Sequence, residues 1–205
     1  MPDSAIRDPL LGIFADILEY PGEDTLEQFR LAEEIASVEF PEAGRLLGRF
    51  RSSIEQMSAD RLEEVYTAIF DLNATCHPYI GYQLFGETYK RSVFLVECKE
   101  HYRAHGFTAP DIELPDRLSI MLRFVSVCTD AELVTDIIEY GFGPSLAKMV
   151  KTKEPTIKEP ELSDENPYSD VLRALQIVLG QVPDSEEPEE LFPILENVGG
   201  DADVR

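Results

Sequence analysis

The chain has 205 residues, with 40 aspartates and glutamates against 18 lysines and arginines, a formal net charge of −22. A surface this acidic repels phosphate backbones and anionic lipid headgroups, which sets aside nucleic acid and direct membrane insertion. At 43% hydrophobic residues, with 11 Phe and 8 Tyr, the composition is that of a folded chain long enough for one substantial core.

Asp8 and Pro9 read as the cap and first position of a helix that carries Leu10, Leu11, Phe14, Ile17 and Leu18 inward, and Tyr20-Pro21-Gly22 stops it. Asp24 caps a second helix with apolar positions Leu26, Phe29, Ile35 and Val38; Pro41 starts a third with Leu46, Leu47, Phe50 and Ile54. Ser58 opens a fourth, whose stripe of Leu62, Val65, Tyr66, Ile69 and Phe70 is the cleanest amphipathic face in the chain. Residues 71–81 break the helical period at Asn73, Pro78 and Gly81 and predict a loop. A long helix is expected over 87–105, with Phe94, Leu95, Cys98 and Tyr102 inward and Gly106 as a left-handed cap. After Pro115 another helix buries Leu118, Met121, Leu122 and Val125. Thr129 and Glu132 have the spacing of a capping box that opens a helix through Leu133, Val134, Ile137 and Ile138, ending at Gly141, and Pro144 starts a further short turn.

Residues 151–166, with two prolines and many charges, read as a linker or mobile loop. Asn166-Pro167 then open a last helix carrying Val171, Leu172, Leu175, Val178 and Leu179, closed by Pro183. Residues 181–205 hold eight acids and one arginine, interrupted by Leu191, Phe192, Ile194 and Leu195, a patch suited equally to docking or to packing. The expected organisation is an all-α, single globular multi-helix bundle: a core over 1–150, the linker, and a C-terminal helix and acidic tail packed on or near the core. No stretch of about 18 apolar residues occurs, and the N-terminus carries acids where a secretory signal is basic, so the chain reads as cytoplasmic.

The sequence contains no phosphate-binding loop, dinucleotide turn, serine elbow or zincin motif. Cys98, His101 and His105 fall along one helix face and are the one constellation with metal-ligand spacing. The same face carries Phe94, Leu95 and Tyr102, which favours core packing for Cys98 and a helix-end role for the histidines. Cys76-His77 suggests a nucleophile and base, but adjacent loop residues diverge and a reactive thiolate needs a positive field. Cys76, Cys98 and Cys128, far apart and without a CxxC pair, are read as free thiols. The remaining chemistry is that of interaction: an acidic surface suits a basic, partly apolar peptide, such as a twin-arginine export signal.

In residues 66–72 (YTAIFDL), 78–92 (PYIGYQLFGETYKRS) and 112–126 (IELPDRLSIMLRFVS), the chain resembles the TorD/DmsD/NarJ family of redox-enzyme maturation chaperones, and the NarJ branch of nitrate reductase delta-subunit-like proteins in particular. Tyr66, Ile69 and Phe70 match the family's aromatic-x-x-Leu-Phe element, with isoleucine for leucine. Asp116 matches the aspartate of its proline-Asp-His element, where Arg117 replaces the histidine and keeps its charge at every ordinary pH.

The resemblance implies a cytoplasmic chaperone, not an enzyme, with no cofactor or metal of its own. Its expected partner is the catalytic subunit of a molybdenum-containing oxidoreductase, bound through its N-terminal signal or remnant peptide while cofactor is inserted before membrane targeting or export. Tyr66, Ile69, Phe70, Tyr79 and Tyr82 are then expected to wall a groove, with Asp71, Asp116 and Arg117 meeting polar groups of the peptide. On that expectation Asp116→Ala weakens client binding and leaves the melting temperature nearly unchanged. The sequence allows a monomer or a homodimer. Its alternatives are a small metal- or thiol-dependent enzyme using Cys98, His101 and His105, or a permanent accessory subunit of a respiratory complex.

Overall fold

The computed structural model describes residues 4–71, 74, 76–151 and 167–180. Ten α-helices make up the described chain: α1 (Ser4–Ile17), α2 (Thr25–Glu39), α3 (Pro41–Ile54), α4 (Ala59–Phe70), α5 (Ile80–Phe85), α6 (Tyr89–Ala104), α7 (Leu118–Val127), α8 (Ala131–Asp136), α9 (Gly143–Lys151) and α10 (Ser169–Val178). A π-helical turn, Ile137–Phe142, joins α8 to α9. The all-α expectation holds, and none of the described helices is long and apolar enough to cross a membrane.

The core is one continuous cluster from Leu10 to Leu179. The predicted inward faces of α1, α3, α4 and α7 are all buried, because their apolar side chains recur at three- and four-residue steps and are large enough to decide which face turns in. For α2 the expected face is wrong in part: Leu26 and Val38 are exposed, Val38 by 74%, and the buried positions are Thr25, Phe29, Ala32 and Ala36. Small residues win here because α2 and α3 approach very closely. A Cβ on Gly44 would fall 2.4 Å from the Ser37 hydroxyl, and one on Gly48 would fall 2.6 Å from a Glu33 carboxylate oxygen.

Several element boundaries also differ from the sequence reading. Helix α1 begins before Asp8, and Pro9 lies within it. The cap of α8 is Asp130, not Thr129: its carboxylate accepts from the N–H groups of both Glu132 and Leu133 at 3.1 Å, a charged acceptor at the positive end of the helix. Gly141 does not end that helix. The chain continues through the π-helical turn, where the Gly143 N–H reaches back to the Ile138 carbonyl just before Pro144, which has no N–H to give. Gly106 takes the expected left-handed conformation, φ 68°. The linker assigned to 151–166, the Asn166 cap, Pro183 and the acidic tail lie outside the described residues, apart from Lys151.

Helix α10 closes the bundle against α3. Tyr168, fully buried at its start, meets Phe50 at 4.7 Å and Phe70 at 4.9 Å between ring centroids, and Phe50 in turn meets Phe29 at 4.9 Å. Outside this cluster Arg49 pairs with Asp170 through two hydrogen bonds of 2.6 and 2.9 Å.

Candidate functional site

Helix α5 begins at Ile80, in the last two residues of the segment expected to be loop, and the chain before it is clamped to the segment before α7. Tyr79 and Arg117 form an isolated antiparallel bridge, with Ile80 N–H donating to the Asp116 carbonyl and Leu118 N–H to the Pro78 carbonyl, both at 2.8 Å. Beneath the bridge Asp116 is fully buried and receives Arg91 from α6, at 3.0 Å from Nε and 3.4 Å from Nη2. The Arg91 guanidinium also lies 5.5 Å from the Tyr79 ring centroid and 5.6 Å from that of Tyr82. Gly81 makes this approach possible, since a Cβ there would sit 2.7 Å from Phe94 and 2.8 Å from the Asp116 carboxylate. Burial pushes the Asp116 carboxyl up, against the lowering effect of Arg91.

On the other side of the bridge, Arg117 organises a second polar cluster. Its Nη2 donates to the Tyr66 hydroxyl at 3.0 Å and lies 3.2 Å from Glu19; its Nη1 meets Glu113 at 2.5 Å. The Tyr66 hydroxyl in turn donates to the Leu18 carbonyl at 3.0 Å, and Tyr79 donates to Glu113 at 3.0 Å. Burial pushes the Tyr66 hydroxyl up to about 12, so it stays protonated as a donor at physiological pH.

Glu113 gives this cluster a testable pH dependence. Burial raises its carboxyl, but the Leu114 N–H, Arg117 and Tyr79 together hold it below the usual glutamate range. A depressed carboxyl contributes stability above its unfolded value, about 4.3, that is lost as pH falls through the folded value. Urea midpoints measured from pH 6 to pH 3 are therefore expected to fall less steeply for Glu113→Gln than for the wild type.

The Tyr66 ring leads outward to Tyr20, packed edge-on at 5.6 Å and 53% exposed, whose hydroxyl donates to Glu63 at 2.8 Å. Tyr20 floors an open cleft of about 460 Å³ lined by Asp60, Glu63, Glu64, Thr67 and Ala68. Arg61, between two of these acids in sequence, pairs with Glu64 at 3.1 Å. The hydrogen bond to Glu63 chiefly, with a smaller effect of the Asp71 charge, raises the Tyr20 hydroxyl. The cleft is thus an aromatic floor with acidic walls, suited to a cationic side chain on an otherwise apolar segment.

The structure brings Tyr66, Tyr79 and Arg117 into direct contact and joins Asp116 to Tyr79 and Tyr82 through Arg91. It corrects the expected groove wall in one respect. Tyr66, Ile69 and Phe70 are 2%, 2% and 6% exposed and belong to the core, where Tyr66 and Phe70 pack on Tyr168, and Asp116 is wholly enclosed beside Arg91 and Gly81. Asp71 is exposed, and Tyr79, Tyr82 and Arg117 are partly so. Sequence reasoning missed Tyr20, Glu63, Glu19 and Glu113; Tyr20 carried a signal as an aromatic beside a helix stop, whereas single acids among 40 carry none.

The sequence pattern of the nitrate reductase delta subunit family matches residues 36–139, just over half of the chain. The chain belongs to this family. Within the delta subunit family's matched span lie α3 to α8, the Tyr79–Arg117 bridge and the acids of the cleft, Asp60, Glu63 and Glu64. A nitrate reductase molybdenum cofactor assembly chaperone, NarJ, of Bacillus subtilis (strain 168) is 32% identical over 114 residues, which cover 54% of this chain and 60% of that relative, less than two thirds of its length. A crystal structure assigned to a redox enzyme maturation protein of Archaeoglobus fulgidus superposes with a TM-score of 0.56 at 24% identity, covering 85% of this chain and 94% of the other, which establishes a shared fold.

In this delta subunit family member the metal-ligand spacing of Cys98, His101 and His105 does not gather a ligand set. Cys98 is buried, and burial pushes its thiol up, away from thiolate chemistry. His105 turns back, with Nδ1 at 2.9 Å from the His101 carbonyl and Nε2 3.7 Å from Asp130. Among the described residues no three His, Cys, Asp or Glu side chains are placed to hold a metal ion. Cys76 is fully buried with its Sγ toward the Met149 carbonyl at 3.8 Å, and the His77 ring packs at a tilt on Tyr82, 4.2 Å between centroids, so the two diverge as a nucleophile and base would not.

Proposed function

We propose that the chain is a cytoplasmic assembly chaperone for a molybdenum-containing oxidoreductase of the nitrate reductase type, binding the basic N-terminal peptide of the catalytic subunit while its cofactor is installed. The observation that carries this reading is the acidic, tyrosine-floored cleft on a member of the nitrate reductase delta subunit family. A lysine or arginine of the peptide meets Asp60 and Glu63, its alkyl stem lies on Tyr20, and Asp71 extends the negative surface toward the partly exposed Tyr79, Tyr82 and Arg117. The buried Tyr66, Ile69, Phe70 and Asp116 act as the platform that holds Tyr20 and Arg117 in place.

The test is calorimetric titration of the chain with a synthetic N-terminal peptide of the catalytic subunit from the same organism, at low and high salt. Salt-sensitive binding is expected. Exposed ion pairs contribute about 0.2–1 kcal/mol each, so Asp60→Asn with Glu63→Gln is expected to weaken binding by a few-fold to about tenfold and to flatten its salt dependence. Binding that ignores both salt and the double substitution would remove the cleft from the site, and absence of any peptide binding would remove the client-peptide reading.

A further inference from the structure

Opposite in character to the acidic cleft is the outward face of α6. Tyr89, Ser92, Val96, Lys99 and Arg103 follow one another at steps of three and four and form a single stripe. Tyr89 is 80% exposed and Val96 56%. The stripe runs into an open groove of about 420 Å³ between the end of α6 and the 106–115 segment, where Lys99 and Arg103 stand beside Phe107. Ile112, on the rim, is 98% exposed.

The charge on this face is unusual for the molecule. Arg7, Arg30, Arg45, Arg49, Arg51, Arg61, Arg91, Arg117 and Arg123 all hold carboxylates. Among the described residues no carboxylate lies within ion-pair distance of Lys99 or Arg103, the two cations of the stripe, even though the chain carries more than two acids for each base. Glu100 beside the stripe and Asp111 and Glu113 in the groove temper the positive field, Glu113 being itself paired with Arg117. Cations left unpaired next to exposed apolar side chains fit an acidic segment with an apolar centre.

We propose that this face docks residues 181–205 of the same chain. That segment carries eight acids and one arginine around Leu191, Phe192, Ile194 and Leu195, so it matches the α6 face in both charge and apolar content. It follows Gly180 directly, and 25 residues can span up to about 80 Å when extended, against a radius of gyration of about 17 Å for a domain of this size. Reach therefore sets no limit, and the tether holds the segment at high effective concentration. Docking there neutralises the cationic face and keeps the acidic tail off the acidic cleft, leaving the cleft open to a basic ligand. The proposal does not depend on which client, if any, the cleft holds.

The test uses the full chain with a photo-crosslinking benzoylphenylalanine in place of Ile112, a position whose side chain is solvent-exposed. Irradiation at low salt is expected to join position 112 to tryptic peptides from 181–205 within one molecule. The yield should fall several-fold in ~0.5 M salt, and likewise with Lys99→Glu plus Arg103→Glu or with Leu191→Asp plus Phe192→Asp. Thermal unfolding of the variants checks that they are folded; Lys99 and Arg103 are outside the described core. Crosslinks that skip the tail, that join two molecules instead, or that persist unchanged in the charge-reversed chain would overturn the proposal.

Discussion

Tyr168→Ala is expected to destabilise the protein by about 3–5 kcal/mol, the range for removing a large buried aromatic. The ring is fully buried where α3, α4 and α10 meet, within 5 Å of the centroids of Phe50 and Phe70, and its loss leaves a cavity among aromatic rings that cannot close without moving α10. For a chain of this length each kcal/mol moves the thermal midpoint by roughly 2–4 °C, so a drop of roughly 10 °C is expected by circular dichroism. Tyr168→Phe keeps the ring and is expected to keep most of the stability. Nearly wild-type melting of the alanine variant would mean that α10 is not an integral part of the bundle.

Asp116→Ala is the second large effect, and it reverses the expectation drawn from sequence alone. Removing one member of a buried ion pair costs about 3–5 kcal/mol because the other charge is left without compensation. Here Arg91, only 17% exposed, loses both of its carboxylate contacts, and the void opens directly under the Tyr79–Arg117 bridge and Gly81. Asp116→Asn, which still offers an oxygen to Arg91, is expected to lose less. Urea unfolding of the two variants and of Arg91→Ala with Asp116→Ala measures this. A double variant recovering stability relative to Asp116→Ala would identify the stranded guanidinium as the source of the loss. Unchanged unfolding of Asp116→Ala together with weakened peptide binding would instead return Asp116 to the role of a surface contact.

Such a platform and cleft differ in how they tolerate change. The Arg91–Asp116 and Arg117 clusters tie the turn after α1, α4, α6 and the segments before α5 and α7 together through buried and half-buried groups. Tyr20, Asp60 and Glu63 stand at the surface, where substitutions change binding and leave stability almost untouched. That separation makes the proposed function testable, because loss of binding at the cleft is not confounded by loss of the fold.

The sequence by itself determined the helical class, six of the inward faces and the residues that tie the chain to its family. Large apolar side chains recurring at the helical period, as on α1, α3, α4 and α7, leave only one face to bury. It also singled out Tyr66, Tyr79, Asp116 and Arg117, which the fold does gather. Tertiary structure alone decided the rest. Helix α5 has six residues and includes a glycine, too short to show a period, and it exists because the Tyr79–Arg117 bridge and the α6 packing hold it. The buried face of α2 follows the close approach permitted by Gly44 and Gly48 rather than the size of Leu26 or Val38. The burial of Asp116 beside Arg91, 25 positions away, and the meeting of Tyr20 with Glu63, 43 positions away, depend on where helices cross, and no local pattern records a crossing.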